Sequence, residues 1–367
     1  MNLSRRRALA AAAAGLLPLL TAPAAFSASD DFDWSLFKQP FFDPEGRIVD
    51  VGNGGVSHSE GQGYGMLLAE ASGDRAAFDK LWSWTAQHLA CRGDGLLAWR
   101  FAPGAVPPVA DPNNATDGDV LVAWALLRAG GRWRDKALLE ASETIRAAIL
   151  RLLVKESFGR IILLPGGTGF ESPSATRLNL SYYVWPALDA FRREDGDALW
   201  GPLIDQGLEL LAAARFGEAN PTPDWIELGP SGAPVLAASP QSRFGFDAIR
   251  IPLHLAWSGR DGLAKPFADY WAGLVARNAV IPAWIDLGAG VTAPYPLSAG
   301  GLAVVRFTLG LGPTALGEDP DYYSSALANL TMLARRDEAT GGLGLSGAAK
   351  TVRERGAGAK SARSAWG

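Results

Sequence analysis

Three acidic residues stand where polar chain runs into apolar stretches, and their types and settings suit proton-transfer chemistry. Glu60 lies in Ser57-His58-Ser59-Glu60-Gly61-Gln62-Gly63-Tyr64-Gly65-Met66-Leu67-Leu68-Ala69. Asp117 lies in Ala115-Thr116-Asp117-Gly118-Asp119, and Asp247 in Ser242-Arg243-Phe244-Gly245-Phe246-Asp247-Ala248-Ile249-Arg250. Each also has a structural reading. Ser57 and Glu60 fit a capping box, Asp117 fits an N-cap, and Asp247 fits an ion pair with Arg250 at i,i+3. Against the first, Gly61, Gly63 and Gly65 would each cost a helix about 1 kcal/mol relative to Ala, and glycine there would let backbone approach a ligand closely. Against the last, a charge in an otherwise apolar helix is expensive unless it is paired or functional. Together, converging carboxyls can divide the labour of glycoside hydrolysis. One protonates the leaving oxygen while a second acts on water or on the anomeric carbon.

Composition narrows the alternatives. The chain has 367 residues, 48% of them hydrophobic, enough for one large domain or two ordinary ones. A net charge of −4 gives no basic footprint for nucleic acid. Cys91 is the only cysteine, so neither an intrachain disulfide nor a thiolate metal cluster can form. His58, His88 and His254 are far apart in sequence, so no metal and no cofactor is expected. Thirteen tryptophans supply core bulk and also flat faces on which sugar rings can stack.

The N-terminus reads as an address. Arg5-Arg6-Arg7 precedes the apolar run 10–20, and Ala22-Pro23-Ala24 and Ala25-Phe26-Ser27 offer small-residue cleavage points. This is the pattern of an export signal over 1–28, with a twin-arginine flavour, and it predicts a periplasmic or secreted protein. The apolar run is short for a membrane span, and no later segment reaches spanning length.

Beyond Glu60 two helical patterns alternate. Nearly all-round apolar stretches at 64–71, 120–129, 182–191, 244–257 and 297–309 alternate with amphipathic ones at 75–89, 134–154, 198–214, 263–277 and 322–335. An all-round apolar helix is buried and an amphipathic one faces water. Strict alternation therefore predicts helical hairpins in a closed ring, buried helices inside and amphipathic ones outside. Residues 159–165 read as one strand, with a partner near 225–228. The long connections 96–115, 165–179 and 221–243 lead into apolar helices and should gather at one end of the ring, where long loops are usually functional. Residues 29–340 read as one domain and 341–367 as a mobile tail.

The three motifs, in this order, resemble glycoside hydrolase family 8, and within it the periplasmic endoglucanases that accompany bacterial cellulose synthase. Leu163-Leu164-Pro165-Gly166, Asn179-Leu180-Ser181-Tyr182 and Pro223-Asp224-Trp225 add to the likeness, which covers roughly 33–335. The resemblance implies an all-α (α/α)6 barrel with a few short strands in loops, and inverting hydrolysis of β-1,4-glucan without a metal. It makes Glu60 the general acid, Asp247 the general base and Asp117 the residue that holds and distorts the sugar at the cleavage point. It implies that Arg250 orients Asp247, that Asn179, Tyr182 and Tyr64 belong to the substrate site, and that Trp99 is a stacking platform. It also implies a cellulose oligosaccharide as partner, with the cellulose export machinery as a further one. Phe246 stands where the family usually has Tyr, and Leu180 where it usually has Pro. The family also contains hydrolases of xylan, chitosan and mixed-linkage glucan. Rival expectations are a non-catalytic glycan-binding assembly protein of the same fold, and a polysaccharide lyase on another α/α barrel.

Overall fold

The computed structural model describes residues 34–314 and 318–341; the expected export signal (1–28) and all but the first residue of the expected tail (341–367) lie outside them. Eleven α-helices are present among the described residues: α1 (Ser35–Phe41), α2 (Ser59–Ser72), α3 (Arg75–His88), α4 (Thr116–Trp133), α5 (Lys136–Leu152), α6 (Trp185–Asp195), α7 (Asp197–Ala213), α8 (Arg250–Trp257), α9 (Asp261–Ala276), α10 (Ala299–Thr308) and α11 (Tyr322–Thr340). The architecture is an (α/α)6 barrel. Helices α2, α4, α6 and α8 follow one another around an inner ring, α3, α5, α7 and α9 return outside, and α10 and α11 complete the ring between α8 and α2. The inner helices run parallel. Residues near the start of α2 meet the start of α4, Asp117 meets Arg250, and Gly300 N donates to Ser324 Oγ at the start of α11. Their far ends meet likewise, through Glu70, Arg128, Trp257 and Asp337.

The inner helices approach closely because their facing residues are small. A Cβ on Gly63 would stand 2.5 Å from Leu121 Cβ, one on Gly65 2.7 Å from Ile48 Cδ1, and one on Gly118 would collide with Ser59 Oγ. A Cβ on Gly61 would run into the Tyr322 hydroxyl. This corrects the expectation that these glycines admit a ligand: Gly61 and Gly63 admit a neighbouring helix, and Gly65 admits Ile48 of the segment ahead of α2. Gln62, between them, is a buried strut whose amide takes Ile48 N (2.6 Å) and donates to Thr85 Oγ1 (2.8 Å). Trp124, Trp185, Trp200, Trp257 and Trp271 are fully buried, so these tryptophans are core rather than sugar platforms. Burial of each such ring stabilises the fold by about 1.5–3 kcal/mol.

Two further expectations change. The stretch 322–335 was expected on the outside, yet α11 is buried over most of its length. Two of its small polar residues donate back to their own helix, Asn329 Nδ2 to Ser325 O (2.9 Å) and Thr331 Oγ1 to Leu327 O (2.8 Å). They therefore mimic a wet face without needing one. Two inner helices follow in succession because the chain between them, 309–321, begins as a Gly- and Pro-containing run, Gly310-Leu311-Gly312-Pro313, which cannot continue a helix. The strand β4 (Arg160–Leu163) pairs not with 225–228 but with its sequence neighbour β3 (Val154–Ser157), in a hairpin. Ile226–Leu228, here β6, instead sits between β5 (Thr176–Leu178) and β7 (Pro234–Leu236). Short pairs also join β1 (Ser57–His58) to β2 (Arg100–Phe101) and β8 (Arg243–Phe244) to β9 (Ile285–Asp286). The long connections 96–115, 165–179 and 221–243 do gather at the starting end of the inner helices, where Asn113 Nδ2 reaches Thr168 O (3.0 Å) and Phe170 stacks beside Trp225. Among the described residues no helix is long and apolar enough to cross a membrane.

Candidate active site

Glu60 is the second residue of α2. The helix opens on His58 with no side-chain cap, and Ser57 lies in β1, where its Oγ takes Arg47 Nη1 (3.1 Å). The capping-box reading therefore fails, and the Glu60 carboxylate is free for other work. Tyr64, one turn on and 1% exposed, donates its hydroxyl to Glu60 Oε1 at 2.8 Å. Asp117 is likewise the second residue of α4, whose N-cap is Ala115, so it is not the cap either. Its Oδ1 takes only the adjacent Gly118 N (2.9 Å). Asp247 belongs to a turn before α8, which begins later than the apolar pattern suggested, at Arg250.

Arg250 brings the three together. Its Nη2 donates to Asp247 Oδ1 (2.7 Å) and its Nη1 to Asp117 Oδ2 (3.0 Å), and Nη1 also contacts Glu60 Oε1. The guanidinium is buried at the floor of the cleft, and exposure rises from the Asp117 side chain (5%) through Glu60 (19%) to Asp247 (32%). Asp247 is thus the carboxylate most open to water. The positive ends of α2 and α4 point at this cluster, which favours negative charge there by tenths of a kcal/mol to about 1 kcal/mol per helix.

One cation nevertheless serves too many acids. Burial, followed by the charge of Asp247, pushes Asp117 up to about 8. Burial pushes Asp247 up to about 6, against the Asn179 amide and Trp225 indole, which pull it down. Asp224, whose carboxylate bonds to Asp247 N, is pushed up to about 8 by burial and then by Asp247. A site with this balance holds protons near neutral pH, which an acid–base catalyst requires.

A single 3-10 turn, Leu180–Tyr182, builds the adjoining wall. Asn179 Oδ1 caps it by taking Ser181 N (3.0 Å) and the Ser181 hydroxyl (2.7 Å), and Ser181 Oγ accepts from Arg250 Nη2 (3.0 Å). Below it, burial and then Arg250 push His254 down to about 3, so a neutral imidazole supports the Ser181 carbonyl. Tyr64, Asn179 and Arg250 therefore lie behind the carboxylates, while Tyr182 and Trp99 reach the surface. Both line a groove of about 410 Å³ with Asp111, Phe170, Arg177 and Trp225. His58 stacks on Trp99 at 5.8 Å, and the Trp99 indole donates to Asp111 Oδ2 (2.9 Å), fixing the ring. Phe170 and Trp225 lie parallel at 5.8 Å, with Tyr182 edge-on to Trp225. Phe246, next to Asp247 in the chain, is 55% exposed.

Sequence reasoning missed Tyr323, whose phenol lies in the field of Asp247, Asp224, Asp117 and Arg250 and donates to Phe246 O at 2.5 Å. It was hidden because its helix was read as an outer one. The role of Asp224 was also missed, although its Pro-Asp-Trp setting was noticed.

The sequence profile of glycosyl hydrolases family 8 matches residues 5–337. Among similar proteins, an endoglucanase of Cellulomonas uda is 42% identical over 278 residues, 76% of this chain and 77% of that one. A probable endoglucanase of Novacetimonas hansenii is 40% identical over 312 residues, 83% of this chain and 90% of that one. Among solved structures, endoglucanase Cel10 of Klebsiella pneumoniae superimposes with a TM-score of 0.80 at 41% identity, covering 84% of this chain and all (100%) of that one. The endo-β-1,4-glucanase CMCax of Acetobacter xylinum does so with a TM-score of 0.80 at 39% identity, covering 85% and 100%.

Proposed function

We propose that this chain, which belongs to glycosyl hydrolases family 8, cleaves β-1,4-glucan with inversion, using Glu60 as acid and Asp247 as base. The chain is a glycoside hydrolase, an endo-1,4-β-glucanase, as its relatives are. The observation that carries the residue assignment is Arg250, a single buried guanidinium bonded to Asp247 and Asp117 and touching Glu60, beside a groove walled by aromatic rings.

In this reading the glucan lies along the groove with sugars against Trp99 and Trp225. Glu60 gives its proton to the glycosidic oxygen as the bond from the anomeric carbon breaks. Asp247, the carboxylate most open to water, takes a proton from the water that attacks the opposite face of the same carbon. Inversion needs room for that water, which corresponds to carboxyls about 6.5–9.5 Å apart. Asp117, bound to Arg250, faces the ring that flattens and gains positive charge, and its grip helps most if it strengthens in the transition state. Tyr64 orients Glu60, and Asn179 and Ser181 hold the wall that carries Tyr182. The catalyst resets when Asp247 returns a proton to solvent and Glu60 recovers one.

The setting we propose is extracytoplasmic trimming of nascent cellulose beside its export machinery, after removal of 1–28. N-terminal sequencing of the protein recovered from the periplasm or medium tests the address; an intact Arg5-Arg6-Arg7 on that material overturns it. Hydrolysis is tested by proton NMR during turnover of cello-oligosaccharides, with xylan and chitosan oligomers in parallel. The expected first product is the α-anomer, from the cello-series. A β-anomer would reject inversion, and faster turnover of xylan or chitosan would move the substrate within the family.

A further inference from the structure

Glu60 and Asp117 are placed by the hydrogen-bond ladders of α2 and α4, but Asp247 is not in a helix: it sits in the turn 245–249 ahead of α8. Something other than a helix must hold that turn still. We propose that Asp224 is the positioning residue for the base: one carboxylate oxygen clasps the turn by its backbone amides and so fixes where Asp247 points. Asp224 Oδ1 accepts from Gly245 N (3.1 Å), Asp247 N (3.1 Å) and Ala248 N (2.7 Å). Three amides on one oxygen define a position, because a shift of the turn in any direction lengthens at least one bond.

The clasp is itself anchored. Asp224 N donates to Arg243 O (2.6 Å) and Trp225 N to Gln241 O (3.1 Å), so the clasping segment is tied to the chain that enters the turn. The next residue, Trp225, turns its indole to the Asp247 carboxyl. Across the turn, the Tyr323 hydroxyl holds Phe246 O. The fit leaves no slack at Gly245, where a Cβ would stand 3.0 Å from Asp224 Oδ2 and 3.1 Å from Trp284 Cβ. That close approach explains a glycine two residues before the base.

The inference rests on Asp247 being the base, and Asp247→Asn is therefore measured alongside. Asp224→Ala removes the clasp but touches no substrate-facing group. Its kcat on carboxymethyl cellulose should fall on the order of 10²-fold, the scale of a misplacement of about 1 Å, while KM changes little. Asp224→Asn keeps an acceptor oxygen for the three amides and should restore most of the lost kcat. Gly245→Ala provides an independent probe that leaves Asp224 in place, and it should also lower kcat at nearly constant KM. Wild-type kcat in Asp224→Ala, or in Gly245→Ala should the former not fold, overturns the clasp. An Asp224→Asn variant as impaired as Asp224→Ala does so too, since the amides would still have their acceptor. If Asp247→Asn itself remains active, the base assignment fails first, and the clasp with it.

Discussion

The inner helices carry a charge cluster at each end, and the two are built on opposite principles. At the far end Arg128 of α4 donates to Glu70 of α2 (2.8 Å) and to Asp337 of α11 (2.7 Å), with Arg132 near Glu70 (3.4 Å). The Trp257 indole donates to Asp337 (3.1 Å), and Arg128 lies over Trp124. Two carboxylates there meet two guanidiniums. Burial pulls Arg128 down, but Glu70 and Asp337 outweigh it and hold it above its ordinary value. At the loop end Glu60, Asp117 and Asp247 all depend on Arg250, with Asp224 alongside. The balanced cluster ties three helices together; the overloaded one keeps carboxyls where they can hold and release protons. On the proposed assignment, the same helices serve stability at one end and chemistry at the other.

The contrast predicts effects of different kind and size. At the loop end Asp247→Asn should lower kcat by about 10²–10⁴-fold with no loss of thermal stability, as read by kinetics and calorimetry on the same preparation. At the far end Arg128→Met leaves a buried carboxylate pair short of its cation, and should cost about 3–5 kcal/mol of stability while kcat per folded molecule stays at the wild-type value. Comparable losses of both quantities in either variant would erase the distinction between the ends.

Asp117→Asn should separate stability from function within the loop end itself. The Asp117 pKa is raised on folding, from an ordinary value of 3.8 to about 8. The unfolded chain therefore loses its proton first, and wild-type stability drains away as pH rises from about 4 to about 8. Asn does not titrate, so the variant should match the wild type near pH 4 and exceed it near pH 8, by about 2–4 °C in Tm per kcal/mol relieved. Its kcat should fall steeply near pH 8, where Asp247 is ionised and Asp117 carries charge. Equal Tm differences at the two pH values would contradict the crowding of carboxyls. The smallest effect is the wild-type pH profile: Asp247 at about 6 places the acid limb of kcat/KM there, because a base must be ionised to work.

Much of this was legible in the sequence, for a physical reason. Carboxylates at the heads of apolar stretches are costly unless used, so Glu60, Asp117 and Asp247 stood out, and the inner–outer alternation gave the ring. The glycines of 61–65 misled because low side-chain volume serves helix–helix approach as well as ligand approach. Helix α11 misled because Ser324, Asn329 and Thr331 read as a wet face but bond within their own helix or across to α10. The partner of β4 was misassigned because register is a tertiary property and the competing hairpin was local. Asp224 acts through backbone amides 21 to 24 residues away in the chain, and no spacing rule signals that.

The division of roles at the loop end is tested most directly by Glu60→Gln on two substrates. Carboxymethyl cellulose needs a protonated leaving oxygen, whereas dinitrophenyl β-cellobioside departs as a stable anion and does not. The account predicts a loss of about 10²–10⁴-fold on the polysaccharide and near-wild-type turnover of the aryl glycoside. An equal loss on both would show that Glu60 is not the acid.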